Sequence, residues 1–96
     1  MTKRNYLAEV RADLAAGDQP NKATVARANE MLRRFAERRN NSAHFSNLQF
    51  QIDLESCGMR IADIGEPEKI SDTVYRWTTP VGIIEEDQTN RIVTVS

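Results

Sequence analysis

The first forty residues carry their apolar side chains at helical spacing. Leu7, Val10 and Leu14 recur at i, i+3 and i+7, which places them on one face of a helix. We expect Thr2 to cap the start of this helix and Gly17 to end it in the left-handed conformation. A turn at residues 18–20 leads into a second helix, which is predicted over residues 21–38.

The second predicted helix has an apolar side and a basic side. Its apolar arc consists of Val25, Ala28, Met31, Leu32, Phe35 and Ala36. Beside that arc lies a narrow stripe formed by Arg27, Arg34 and Arg38. Arg39 would rotate back into the apolar arc, so we expect the helix to end near Arg38. The short linker between two amphipathic helices predicts an αα-hairpin.

After residue 46 the period of the pattern changes from 3.6 to 2. The apolar positions alternate with polar ones at Leu48, Phe50, Ile52 and Leu54. This alternation predicts a strand with an apolar inner face. Four further strands are predicted, at residues 59–64, 73–79, 81–86 and 91–95. Residues 87–90 read as a hairpin loop.

These elements predict one α+β domain over residues 1–96, with a helical hairpin at 1–39 and a β-sheet region at 47–96. Because short turns join consecutive strands, we expect a mostly antiparallel sheet of about four to five strands. The N-terminal αα-hairpin should pack on one face of that sheet, against the apolar side chains of residues 48–54.

The composition excludes several classes of protein. Hydrophobic residues make up 40% of the 96 positions and charged residues 28%, which indicates a small soluble globular protein. No apolar run is long enough to span a membrane and the N-terminus has no secretion signal, so we expect a cytoplasmic protein. One cysteine and one histidine exclude an intrachain disulfide framework and a Cys/His zinc site. We therefore expect no metal, no cofactor and no membrane partner.

The charges are distributed unevenly along the chain. Residues 1–45 hold nine basic and five acidic groups, a balance of +4, whereas residues 46–96 hold four and nine, a balance of −5. The basic half is suited to nucleic acid or an acidic protein, and the acidic half to a basic partner or a second copy. Alternatively, the two halves neutralise each other inside one fold.

Two short segments resemble motifs of known families. The hexapeptide Arg39-Asn40-Asn41-Ser42-Ala43-His44 resembles the motif of HEPN ribonucleases, in which Arg and His from two protomers converge on RNA. The resemblance implies a ribonuclease that uses Arg39 and His44. HEPN domains are all-helical, however, whereas the last fifty residues here are predicted to form a sheet. We therefore expect no catalytic residues and no enzymatic activity.

The segment Asn21-Lys22-Ala23-Thr24-Val25-Ala26-Arg27 resembles the start of a helix-turn-helix recognition helix. The resemblance implies that Lys22 and Thr24 reach phosphates or base edges, with the arginine stripe along the backbone. Against this, Glu30 and Glu37 share the helix, and the isoelectric point of about 5.8 is far from that of a basic DNA-binding domain.

The candidate binding residues are the cations of the second helix: Lys22, Arg27, Arg34, Arg38 and Arg39. A solvated face with stabilising ion pairs is the alternative reading of the same residues. Tyr75 and Trp77 share one face of a strand and are expected in the core, with a binding interface as the alternative. The final strand, at 91–96, is a candidate edge for pairing with a partner or a second copy.

The sequence thus favours a small non-catalytic interaction protein that binds and modulates a larger macromolecule, of the accessory regulator or inhibitor type seen in bacteria and phages. We expect a protein partner, with a homodimer as a further option. The alternative function is a nucleic-acid-binding regulator that uses the basic helix 21–38.

Overall fold

Three helices pack on a four-stranded antiparallel sheet in the computed structural model, which describes residues 5–41, 46–63 and 65–96. The helices are α1 (Tyr6–Ala15), α2 (Lys22–Asn40) and α3 (Ser46–Ser56). The strands, in both chain order and sheet order, are β1 (Pro67–Lys69), β2 (Val74–Thr79), β3 (Gly82–Asp87) and β4 (Ile92–Val95). The predicted α+β class, with an antiparallel sheet of four strands and an N-terminal helical hairpin, is confirmed.

The helical hairpin is defined by its caps. The side chain of Asn5 caps α1 by accepting a hydrogen bond from the Ala8 N–H at 3.0 Å, whereas the predicted cap Thr2 lies outside the described residues. Gly17 ends α1 in the left-handed conformation, with φ of 77°, as predicted. Asn21 then caps α2 by accepting from the Ala23 N–H at 2.8 Å.

Helix α2 lies at the centre of the molecule, in contact with α1, α3 and β4. It continues to Asn40, so the predicted end near Arg38 is wrong. The extension turns Arg39 into the buried face of the helix, where 2% of the residue is exposed. This position is tolerated because the Arg39 guanidinium has an acidic partner and a carbonyl acceptor on the sheet, so no buried charge is left unpaired.

The predicted strand over residues 48–54 is wrong, because this segment forms α3. Among the α3 side chains that the structure describes, those of Phe50, Asp53 and Leu54 are buried and follow i, i+3 and i+4 spacing, whereas Ile52 is 48% exposed. The helix ends in a Schellman motif at Gly58, whose φ is 76°. In this motif the Met59 N–H donates to the Leu54 carbonyl and the Gly58 N–H donates to the Glu55 carbonyl.

The predicted strand at residues 59–64 is also wrong, since Ile61–Asp63 form a single 3-10 turn. The sheet therefore begins at Pro67 and not near residue 47. The strand β1 was not predicted, because only Pro67 of its three residues, Pro67–Lys69, is apolar, so no alternation of apolar and polar side chains marks it. The strands β2, β3 and β4 lie where the alternation predicted them, within one or two residues.

The sheet buries one face. Cross-strand pairs place Trp77 beside Ile84, and Glu86 beside Val93, on the side that faces the helices. The alternate residues, including Ile83 and Ile92, are exposed on the other side. The buried core consists of Leu7, Val10, Ala28, Leu32, Ala36, Phe50, Leu54, Met59, Ile61, Val81, Ile84 and Val93.

Candidate partner-binding surface

The structure brings three of the five candidate binding residues together. Arg27, Arg34 and Arg38 occupy one side of α2, at i, i+7 and i+11, and all three line the same cavity of about 620 Å³. We call this cavity the α1–α2 groove. Lys22 lies apart from it, in a more open hollow beside Asn29.

The floor of the α1–α2 groove is apolar. It is formed by half-buried side chains that pack against the core: Tyr6 of α1, Met31 and Phe35 of α2, and Cys57 after α3. The guanidinium groups stand above this floor, since the side chains of Arg27 and Arg34 are 65% and 71% exposed. A charged rim around an apolar floor can hold an anion and bury an apolar group at the same time.

Glu30 occupies the middle of the arginine row. Its carboxylate lies 2.8 Å from the Arg34 guanidinium and 3.7 Å from that of Arg27. The predicted ion pair between Glu30 and Arg34, which would stabilise a solvated face, is therefore present, and Glu30 also pairs with Arg27. Exposed ion pairs of this kind contribute only about 0–1 kcal/mol each, so an incoming anion can displace Glu30 at little cost.

Arg38 is held more firmly than its neighbours. Its Nη1 lies 3.2 Å from Oδ1 of Asp53, a carboxylate that α3 buries. Its guanidinium carbon also lies 6.0 Å from the centre of the Phe35 ring, at the edge of cation–π distance. Arg38 thus connects the groove to the contact between α2 and α3.

Arg39 faces the opposite way from the groove. Its Nη2 lies 3.7 Å from the Glu86 carboxylate of β3, and its Nη1 donates to the Arg91 carbonyl. The guanidinium is therefore part of the packing between α2 and the sheet. His44, the second residue of the HEPN-like hexapeptide, lies outside the described residues.

A second cavity, of about 320 Å³, lies between α3 and the start of the sheet. Trp77 lines it beside Leu54, Ile61 and Pro67. The Trp77 ring also lies 6.3 Å from that of Tyr75, and both side chains are half-buried. Their environment is thus intermediate between the predicted core and an open interface.

The outer edge of β4 is partly closed. Ser96 and Ile83 exchange two backbone hydrogen bonds between β4 and β3. Because hydrogen-bonded and non-bonded residues alternate along an antiparallel pair, the backbone N–H and C=O of Val93 point away from β3. The side-chain amide of Asn40 donates to the Val93 carbonyl and accepts from the Val93 N–H, both at 2.9 Å. Strand pairing at this edge would have to displace Asn40.

The hairpin loop between β3 and β4 is organised by Asp87. Its carboxylate accepts hydrogen bonds from the backbone and side-chain N–H groups of Asn90 and from the Thr89 N–H. The Asn90 donors, followed by Thr89, favour the ionised form and hold the pKa of Asp87 below its ordinary value of 3.8. This acidic residue therefore has a structural role in the turn.

Sequence reasoning found the arginines of the groove but missed its opposite wall. Asn5, Tyr6 and Cys57 come from segments that are far apart in the chain, and Cys57 was assigned to a turn between strands.

Comparison with protein-family models, with curated proteins and with solved structures found no match. Among the described residues, no helix is both long and apolar enough to cross a membrane.

Proposed function

We propose that this chain is a small, non-catalytic, cytoplasmic interaction protein. It binds and modulates a larger protein through the α1–α2 groove, in the manner of the accessory regulators and inhibitors of bacteria and phages. The observation that carries the proposal is the placement of Arg27, Arg34 and Arg38 around one apolar-floored cavity. Aromatic side chains, methionine and arginine are enriched at protein interfaces, and arginine, tyrosine and tryptophan most often dominate the binding energy there.

A specific feature of the groove favours a second candidate, a nucleic-acid-binding regulator. The rings of Tyr6 and Phe35 lie in the same groove as the arginines. Aromatic rings beside guanidinium groups bind single-stranded nucleic acid by stacking and charge. This candidate requires binding to DNA or RNA that weakens steeply between about 50 and 200 mM salt, because each neutralised phosphate releases counterions.

Site-specific photo-crosslinking tests the proposal. A benzophenone amino acid replaces Glu30, which lies within the groove and is 48% exposed, so that all three arginines are kept; in a matched control it replaces Glu68, which is exposed on β1. We expect a discrete adduct in the protein's native cells from position 30 and none from position 68. The adduct should survive nuclease treatment and disappear when R27Q and R38Q are added.

The outcomes separate the two candidates. A nuclease-sensitive adduct from position 30 would identify nucleic acid, and not a protein, as the partner. No adduct from position 30, or equal adducts from positions 30 and 68, would contradict a partner at the groove. Because R38Q removes the ion pair between Arg38 and the buried Asp53, a second background that carries only R27Q keeps the test independent of folding.

A further inference from the structure

The shape of the α1–α2 groove limits what can occupy it. Arg27 and Arg38 mark its two ends and are eleven residues apart, which is about 16 Å along a helix axis. This length matches about three turns of a helix or a short extended segment. Its apolar floor requires that the occupant present at least one large apolar side chain.

The charges around the groove determine which charge its occupant must carry. The rim carries three guanidinium groups and one carboxylate, that of Glu30. Acidic side chains of a ligand would form bidentate bonds to Arg27 and Arg34 and release Glu30 from the exposed pairs that it makes now.

We infer that the occupant is an acidic amphipathic segment of a different protein, which seats an apolar side chain on Met31 and Phe35 and places its carboxylates on Arg27 and Arg34. This inference rests on the proposed function and specifies its partner. Amphipathic helices that bind in apolar grooves commonly use such anchors at i, i+3 and i+7.

Two other occupants fit less well. A long polyanion such as RNA would extend beyond the groove and meet the acidic groups that give the chain its net charge of −1, whereas a short acidic segment contacts only the groove. A second copy would have to insert its own acidic sheet region. That contact joins two different surfaces, so its repetition would form a ring or a head-to-tail filament.

The test uses fluorescence anisotropy on the full chain with three labelled probes. The first probe is a peptide of about 14 residues that carries leucines at i, i+3 and i+7 and glutamates at positions beside them. The second is the same peptide with the leucines replaced by alanines. The third is a single-stranded DNA of about equal charge. Circular dichroism confirms that each variant is folded.

We expect the leucine peptide to bind more tightly than either other probe. R27Q/R34Q should weaken it about tenfold and M31Q about fivefold, because these variants remove ion pairs and the apolar contact. E30Q should tighten it about threefold, because Glu30 no longer competes for the arginines, an effect that a purely structural Glu30 would not produce. R33Q, on another side of α2, should have no effect. If R27Q/R34Q does not fold, R34Q alone takes its place.

Three results would overturn the inference. One is DNA that binds more tightly than the leucine peptide with the same dependence on Arg27 and Arg34. Another is self-association of the unliganded chain, measured by sedimentation as a mass that increases with protein concentration. If R27Q/R34Q abolished this self-association, the occupant would be a second copy. The third is equal binding, or none, by the two peptides. In each case the crosslinking at position 30 decides separately whether the groove binds a partner.

Discussion

Asn40, the last residue of α2, forms a two-point hydrogen bond with Val93, in the middle of the edge strand β4. The Asn40 amide donates to the Val93 carbonyl and accepts from the Val93 N–H, both at 2.9 Å, as a neighbouring strand would. A single side chain thereby satisfies the outward backbone groups of Val93 and joins the long helix to the sheet. Natural sheets often protect their edges in comparable ways, because unpaired edges promote aggregation.

Replacement of Asn40 by Ala should destabilise the fold and expose the β4 edge. The loss of both hydrogen bonds should cost about 1–3 kcal/mol of unfolding free energy, since Val93 is buried and its backbone groups lose their partners. Urea unfolding measures the loss, and size-exclusion chromatography measures self-association. N41A is the matched control, because it removes the next amide along the chain and leaves the contact between Asn40 and Val93 in place. Equal stability of N40A and N41A would show that the contact contributes nothing.

The buried Arg39–Glu86 pair should be more sensitive to the loss of one partner than to the loss of both charges. R39A leaves Glu86 facing the helix layer without its cation and should cost about 3–5 kcal/mol. R39M/E86Q keeps much of the side-chain volume and removes both charges, so it should cost less than R39A. Denaturant unfolding compares the variants, with R33A, at an exposed position on α2, as the control. If R39A changed stability no more than R33A, the pair would not hold α2 to the sheet.

The α3 segment shows why alternation alone was insufficient. Its apolar residues fit a period of 2, but the structure buries Asp53 and leaves Ile52 exposed. Asp53 is polar in any sequence pattern, and it enters the buried face because Arg38, fifteen residues earlier, lies 3.2 Å away. Such a distant pairing is invisible to a local window. A helical signal was present, however, since five of the eleven residues of α3 are Leu, Gln or Glu and only Ile52 is β-branched.

Two substitutions distinguish the helix from the strand. In a strand, Ile52 and Leu54 would lie on the same buried face, whereas α3 buries only Leu54 of the two. We therefore expect I52K to change the unfolding free energy by less than about 0.5 kcal/mol and L54A to reduce it by about 2–5 kcal/mol. Chemical denaturation measures both. Comparable large losses in the two variants would support the strand.

Only the part of the candidate groove that lies on a single helix was predictable from the sequence. The arginine stripe follows from the 3.6-residue period of α2 alone, because Arg27, Arg34 and Arg38 share one side of any helix drawn through them. The opposite wall depends on how α1 and the end of α3 pack against α2, which no local pattern contains. The burial of Arg39 likewise depends on Glu86, a residue on a distant strand.

The stability of the β3–β4 hairpin should depend on pH through Asp87. The N–H groups of Asn90, and that of Thr89, bind its ionised carboxylate and lower its folded-state pKa from 3.8. A lowered folded-state pKa means that the stabilisation is fully present above the unfolded-state pKa and is lost as the pH falls through the folded-state value. Wild type should therefore be more stable than D87N near pH 7, and the difference should shrink below about pH 4.

Urea unfolding of wild type and D87N from pH 7 down to about pH 2 provides the measurement, because the ordinary carboxyl range is then covered. N90A is the matched variant, since it removes one donor to Asp87 and leaves the carboxylate in place. Its effect should be largely absent in the D87N background, because the two side chains act on one turn. A difference between wild type and D87N that stayed constant down to the lowest pH would show that the hairpin gains nothing from the charge of Asp87.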